Sequence, residues 1–162
     1  MTLKTVLITG CSAGGIGGAL ALALAKQGHH IFATARNPSK IAAELTALSN
    51  VTVLTLDVTS QASVQSAAKA VTSSGRGLDV LVNNAGVGYV APILDMDIEQ
   101  VQKLYETNVW GCVRTVQAFQ DLLIASRGRV VNLGTVASFV NMPWMCKSPC
   151  QTPLFLSSSR YP

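Results

Sequence analysis

"TGCSAGGIG", residues 9–17, stands between a short apolar run at 5–9 and a long run rich in alanine and leucine at 17–27. The β-branched and apolar residues of the first run predict a buried strand, and the second run predicts a helix. Glycines in such a turn let the backbone approach an anion closely, and the helix N-terminus offers it free N–H groups. This stretch therefore predicts a parallel sheet of strand–helix units with a phosphate site at its edge.

The alternation of strand and helix patterns continues outward from this turn to about residue 134. Further strands are predicted at 30–35, 51–56, 79–86 and 128–134. Further helices are predicted at 38–48, about 60–73, 98–105 and 109–126. Nearly continuous apolar strands joined by helices are typical of the α/β class, with a doubly wound, Rossmann-like parallel sheet. Right-handed crossovers then predict the strand order 3-2-1-4-5.

The pattern fails towards the C-terminal end. Four of the six prolines lie within residues 143–162, and no acidic residue follows Asp121. We therefore expect a dinucleotide-binding domain over residues 1–142 and an irregular tail over residues 143–162. The sheet would be incomplete on its C-terminal side, with the fifth strand as a bare edge, and this predicts marginal stability or unintended association.

Composition narrows the functional class. Hydrophobic residues make up 49% of the 162 residues and charged residues 12%, which suits a buried sheet rather than disorder. The net charge is +4, but the lysines and arginines are scattered, so nucleic acid is not an expected partner. The run "ALALALA" at 19–25 is too short to span a bilayer. We expect a cytoplasmic protein, with association with a lipid surface left open, and the four cysteines have no metal-site spacing.

Two groups of residues are candidates for binding the phosphates of a dinucleotide. The first group comes from the glycine-rich turn: Thr9, Gly10, Ser12, Gly15, Ile16 and Gly17. The second is Arg36, directly after the second strand, with Lys40 as a further cation. No acidic residue lies between 29 and 40 to bind a ribose diol, so NADP(H) is favoured over NAD(H). The alternatives are a turn that merely connects strand to helix and a solvated surface arginine.

Four further stretches, with the glycine-rich turn, make the chain resemble the short-chain dehydrogenase/reductase family. They are "LDV" at 56–58, "NNAG" at 83–86, "NVWG" at 108–111 and "GRVVNLGTVAS" at 128–138. The resemblance covers residues 3 to about 145, and beyond it we interpret the chain as truncated or altered. "TGCSAGGIG", "ATAR" at 33–36 and "NMPWM" at 141–145 also look like fungal members that resemble 1-acyldihydroxyacetone-phosphate reductase.

The resemblance implies cofactor contacts beyond the glycine-rich turn. Asp57 would accept a hydrogen bond from the adenine amino group, and Val58 would lie beside the ring. Asn84, Ala85 and Gly86 would line the cofactor near its adenine ribose. The alternatives are a helix-capping role for Asp57 and plain turn chemistry for "NNAG".

The resemblance also implies an NADP(H)-dependent oxidoreductase acting on a small carbonyl compound or secondary alcohol. Asn108 would hold a water in a proton relay, unless it simply caps the next helix, and Thr135 stands at the position of the substrate-binding serine. The tyrosine and lysine that deliver the proton are replaced by Ser148 and Thr152, which cannot do so near neutral pH. We therefore expect a catalytically compromised chain. The alternatives are a non-catalytic nucleotide-binding module, which regulates or pairs with a complete relative, and a fragment without a function of its own; the type of any oligomer stays open.

Overall fold

A computed structural model describes residues 2–135, which form one parallel sheet of five strands with helices on both faces. The strands are β1 (Thr5–Ile8), β2 (His30–Ala35), β3 (Val51–Thr55), β4 (Val80–Asn83) and β5 (Arg129–Asn132). The helices are α1 (Ile16–Lys26), α2 (Ala43–Thr46), α3 (Gln61–Ser73), α4 (Ile98–Tyr105) and α5 (Gly111–Ala125). The strand order β3-β2-β1-β4-β5 confirms the predicted doubly wound topology. The predicted boundary after residue 142 lies outside the described residues.

Each face of the sheet has its own apolar core. On one face Val6 and Ile8 of β1 pack with Ala21 and Ala25 of α1 and with Leu45 of α2. On the other face the core is shared by β1, β2, β4, α3 and α5, and includes Leu7, Phe32, Leu81, Val64 and Phe119. Strand residues buried on both faces explain why the strands are continuous apolar runs rather than alternating ones.

The predicted helix at 38–48 is wrong, because two short helical segments replace it. A 3-10 turn spans Pro38–Lys40, and α2 is only one turn long. Between them Ile41 is extended and forms an antiparallel bridge with Ser12, while the Ala13 N–H donates to the Lys40 carbonyl at 2.8 Å. Pairing with the glycine-rich loop therefore overrides local helix propensity.

The two helices predicted at 98–105 and 109–126 are not separate. A π-helical turn, Glu106–Trp110, joins α4 directly to α5. Such a turn shifts the backbone register by one residue, and it is frequent at functional sites. No simple sequence pattern predicts it.

Within residues 2–135, β5 is an edge strand, and Val131 and Leu133 near its end are 37% and 41% exposed. The same residues include no helix that is long and apolar enough to cross a membrane.

Candidate functional site

A cleft of about 440 Å³ lies at the carboxyl ends of β1 to β4, where the strand order changes direction between β1 and β4. Ligands of open parallel sheets bind at such a switch point. Of the residues predicted to hold the cofactor, the structure brings nine into its lining: Gly10, Ser12, Ile16, Arg36, Asp57, Val58, Asn84, Ala85 and Gly86. Thr9, Gly15 and Gly17 lie beside this lining and do not belong to it.

The glycine-rich loop fits an anion at the start of α1. Gly10 has φ +76° and Gly14 has φ +77°, backbone conformations that other residues rarely adopt. Gly15 is the N-cap of α1, and no side chain within residues 2–135 caps that helix. A Cβ on Gly17 would lie only 2.6 Å from the Gly10 carbonyl oxygen, so glycine there lets α1 approach β1 closely. The uncapped N–H groups suit the oxygens of a pyrophosphate.

Thr9 and Asn84 hold this loop from beneath. Thr9 is 1% exposed, and its hydroxyl accepts hydrogen bonds from the backbone N–H groups of Asn84 and Ala85, each at 2.9 Å. In return the Asn84 Nδ2 donates to the carbonyls of Thr9 at 2.7 Å and Gly10 at 3.0 Å. These bonds tie the end of β1 to the end of β4, so part of the contribution of "NNAG" is to shape the cleft.

Arg36 and Lys40 lie together on one rim of the cleft, with Asn37 between them in the lining. Both basic residues are exposed, and within residues 2–135 neither forms an ion pair. The bond from Ala13 to the Lys40 carbonyl fixes the backbone of Lys40 beside the glycine-rich loop. Two cations next to a helix N-terminus make this end of the cleft attractive to an anionic group.

Another part of the cleft lining comes from the loop after β3, through Asp57, Val58 and Thr59. Asp57 Oδ1 accepts hydrogen bonds from the Thr59 N–H at 2.9 Å and the Thr59 hydroxyl at 2.8 Å, so this carboxylate shapes its own turn. Ser60, rather than Asp57, is the N-cap of α3. Val58 is 6% exposed, and its side chain packs closely against Gly111 at the start of α5.

Asn108 lies inside the π-helical turn and therefore does not cap a helix. Its Oδ1 accepts from the Val87 N–H, and its Nδ2 donates to the Val87 carbonyl, both at 2.9 Å. The paired bonds hold the loop after "NNAG" against the π-helical turn. The amide oxygen and the amide nitrogen of this side chain are thus both hydrogen-bonded to the backbone of Val87.

The remaining predicted catalytic positions are only partly described. Thr135 is exposed and lies three residues beyond the end of β5, at the same edge of the sheet as the cleft. Ser148 and Thr152 lie outside the described residues. The first asparagine of "NNAG", Asn83, is buried and joins Asn132 of β5 at 2.9 Å to Thr115 of α5 at 2.7 Å.

Six lining residues were not predicted: Ala35, Asn37, Leu56, Thr59, Val87 and Thr107. All of them except Thr107 are direct sequence neighbours of predicted site residues and could have been found from that position. Thr107 reaches the cleft from the π-helical turn, for which the sequence has no signal.

Within residues 2–135 the cysteines are not reactive thiols, and no cluster of metal ligands is found. Cys11 is fully buried, and burial raises the pKa of its thiol to about 11, so it stays protonated near neutral pH. Burial also raises the pKa of Cys112. Within residues 2–135 no group of three or more histidine, cysteine or acidic residues could hold a metal ion.

Comparison with known proteins agrees with this architecture. The family model for short chain dehydrogenase matches residues 4–147. The short-chain dehydrogenase ptmH of Penicillium ochrochloron is 46% identical over 146 residues, which are 90% of this chain and 54% of that protein. An NADPH-dependent 1-acyldihydroxyacetone phosphate reductase of Schizosaccharomyces pombe is 41% identical over 138 residues, which are 85% of this chain and 46% of that protein. The chain thus spans about half the length of these curated relatives.

Solved structures show the same fold. An alcohol dehydrogenase from the archaeon Thermococcus sibiricus, complexed with 5-hydroxy-NADP, superposes with a TM-score of 0.81 at 31% identity. The match covers 91% of this chain and 64% of that one. A short-chain dehydrogenase from Streptomyces avermitilis superposes with a TM-score of 0.83 at 27% identity, covering 93% of this chain and 56% of that one.

Proposed function

We propose a function from the premise that this chain belongs to the short-chain dehydrogenase family. Its cleft binds NADP(H) in the manner of an oxidoreductase of carbonyl compounds and secondary alcohols. One observation carries the choice of cofactor. Arg36 and Lys40 line the rim beside the glycine-rich loop, and neither is neutralised by an acidic residue within residues 2–135. An adenosine 2′-phosphate placed there meets two cations, whereas residues 36–40, which follow β2, include no carboxylate to bind the diol of NAD(H).

The other parts of the cofactor follow from this placement. The pyrophosphate lies over Gly10 and Ser12 at the uncapped start of α1. The adenine ring lies against Val58, with Asp57 beside its amino group, and the ribose lies near Ala85 and Gly86. Because Asp57 Oδ1 already accepts two hydrogen bonds from Thr59, the adenine amino group must use the remaining lone pairs of the carboxylate.

Replacing Arg36 with alanine is expected to weaken NADPH binding about 10- to 100-fold, because charge-assisted hydrogen bonds to a phosphate are lost. Binding of NADH should change little, because it has no 2′-phosphate. Titration of both nucleotides, followed by nucleotide fluorescence, measures the ratio of the two dissociation constants. Lys40→Ala should move this ratio in the same direction by a smaller factor.

Arg76→Ala is the matched control, because it removes the same charge from an exposed arginine that does not line the cleft. It should leave the ratio unchanged. An Arg36→Ala chain that keeps the wild-type ratio would contradict the assignment of NADP(H). A wild-type chain that binds neither nucleotide would contradict the proposed function itself.

The chemistry of turnover needs a proton donor as well as a cofactor. When bound, NADPH supplies a hydride to the carbonyl carbon. Thr135, at the position of the family's serine, would hold the substrate oxygen, and Asn108 keeps the loop at Val87 in place. At the spacing where the family has a tyrosine and a lysine, this chain has Ser148 and Thr152. An aliphatic hydroxyl is far too weak an acid to protonate the developing alkoxide near neutral pH.

We therefore expect the 162-residue chain to oxidise NADPH in the presence of small and lipid-like ketones no faster than buffer does. Absorbance at the nicotinamide band measures this directly, with a complete ketoreductase as positive control. Turnover that is lost in a Thr135→Val chain would contradict the expectation, since it would mean that the chain assembles its own catalytic site.

A nucleotide-binding module without catalysis is the second candidate, and the residues at 148 and 152 favour it. NADPH should raise a cooperative thermal melt under either candidate, and any turnover would favour the oxidoreductase over the module. At a concentration of one hundred times Kd, the bound nucleotide should stabilise the fold by about 2.7 kcal/mol. A chain that melts without cooperativity and without a shift would exclude both candidates and leave only the fragment interpretation.

A further inference from the structure

We infer that Arg114 is a positioning residue for the cofactor: through the Val58 carbonyl and Glu106 it holds the adenine-side wall of the cleft. The wall meant here is Asp57–Thr59. The inference rests on the proposed NADP(H) site and adds to it a residue that does not line the cleft.

The contacts of Arg114 connect this wall to the π-helical turn. On α5, its Nη1 donates to the Val58 carbonyl at 3.4 Å and to the Glu106 carbonyl at 3.3 Å. Its Nη2 donates to Glu106 Oε2 at 2.5 Å, in an ion pair where the arginine side chain is 23% exposed. One guanidinium therefore bridges the loop after β3 and the residue at which the π-helical turn begins.

The Arg114 bridge lies at the first residue of the π-helical turn. The Glu106 carbonyl accepts the N–H of Gly111, five residues later, so it lies at the wide point of the helix. A widened turn has weaker internal support than an α-helical one, and the second hydrogen bond from Arg114 stabilises it. Thr107, the next residue, lines the cleft.

Two contacts connect Val58 to the beginning of α5: its side chain packs against Gly111, and its carbonyl accepts a hydrogen bond from Arg114. A Cβ on Gly111 would lie 2.7 Å from Val58 Cγ2 and 2.9 Å from Val58 Cβ, so the two elements touch without a side chain between them. The front of Val58 lines the cleft. Because of these contacts, a small movement of α5 or of Arg114 would also move the face of Val58 that meets the adenine ring.

Arg114→Met keeps the length and apolar stem of the side chain and removes its donors. We expect it to weaken the binding of NADPH and of 2′,5′-ADP by the same factor, about tenfold, because both share the adenosine half. Arg114→Lys keeps the charge but not the planar fork, so its affinities should fall between those of the wild type and of the methionine variant.

Arg129→Met is the matched control, because it makes the same chemical change at an exposed residue that opens β5, at the edge of the sheet away from the cleft. It should bind both ligands as the wild type does. Circular dichroism and thermal melts of every variant distinguish displacement of the Asp57–Thr59 wall from unfolding of the chain.

Gly111→Ala tests the same wall without touching the ion pair and is decisive if Arg114→Met does not fold. Its methyl group must displace Val58, so the affinities for NADPH and 2′,5′-ADP should again fall together. Arg114→Met or Gly111→Ala chains that bind both ligands within about twofold of the wild type would overturn the inference. A larger loss for NADPH than for 2′,5′-ADP would also overturn it, because the effect would then lie outside the adenosine half. If the wild type binds neither ligand, the proposed function fails, and the inference fails with it.

Discussion

Replacing Gly17 with alanine is expected to lower the free energy of unfolding by about 2–4 kcal/mol and to abolish the stabilisation of the chain by NADPH. The added Cβ would lie 2.3 Å from Asn84 Nδ2 and 2.6 Å from the Gly10 carbonyl oxygen. To relieve these contacts, α1 must move away from β1 or the Asn84 side chain must leave its two carbonyl acceptors. Either movement opens the loop that faces the proposed pyrophosphate. Urea unfolding and a thermal melt with and without NADPH measure the two effects.

Gly88→Ala is the control for this substitution. Gly88 has no positive φ, and its added Cβ would meet no atom of residues 2–135 within 4 Å, so its effect should stay within about 0.5 kcal/mol. A Gly17→Ala chain as stable as Gly88→Ala, with a wild-type response to NADPH, would show that close packing of α1 on β1 is not required.

Replacing Thr9 with valine is expected to destabilise the chain by about 2–4 kcal/mol, although the two side chains have nearly the same shape. The hydroxyl that is lost is the acceptor of two backbone N–H groups, those of Asn84 and Ala85. Both donors, whose hydrogen bonds are partly buried beneath the cleft, would lose that partner. Their amide hydrogen exchange should also accelerate, and NADPH affinity should fall because the walls on β1 and β4 are no longer tied.

Thr34→Val is the matched control, since this threonine is also buried, and among residues 2–135 its hydroxyl makes one hydrogen bond, which it donates to the Ile8 carbonyl at 3.0 Å. Its removal leaves no N–H without an acceptor, so the loss should be about 1 kcal/mol. If Thr9→Val is no more destabilising than Thr34→Val, the hydroxyl of Thr9 is not the link between the strand ends.

Much of this molecule can be predicted without coordinates. Alternation of apolar strands and helices predicts the five strands and their order, because parallel crossovers are right-handed and allow few arrangements. The site can also be located, because residues that follow parallel strands meet at the carboxyl edge of the sheet; Arg36, Asp57 and Asn84 all lie in the cleft for this reason. The roles of these residues towards a cofactor are proposals for the experiments above.

Three features depend on contacts between distant residues, and local sequence patterns do not predict them. The helix predicted at 38–48 breaks because Ile41 pairs with Ser12, a partner 29 positions away in the sequence. Asn108 bonds to Val87 rather than capping a helix, because the π-helical turn carries its side chain towards that loop. Arg114 reads as an ordinary charged helix residue until the Val58 carbonyl is seen beside it.

The sequence by itself thus determined the sheet, its strand order and the edge at which the glycine-rich turn and the basic residues gather. The strands and helices follow from hydrophobic periodicity, and the strand order follows from the right-handedness of parallel crossovers. Only the tertiary structure decided which hydrogen bonds hold that edge in shape. The Thr9–Asn84 link and the Arg114 bridge each join residues more than 50 positions apart, and burial makes each unpaired donor costly enough to select one arrangement.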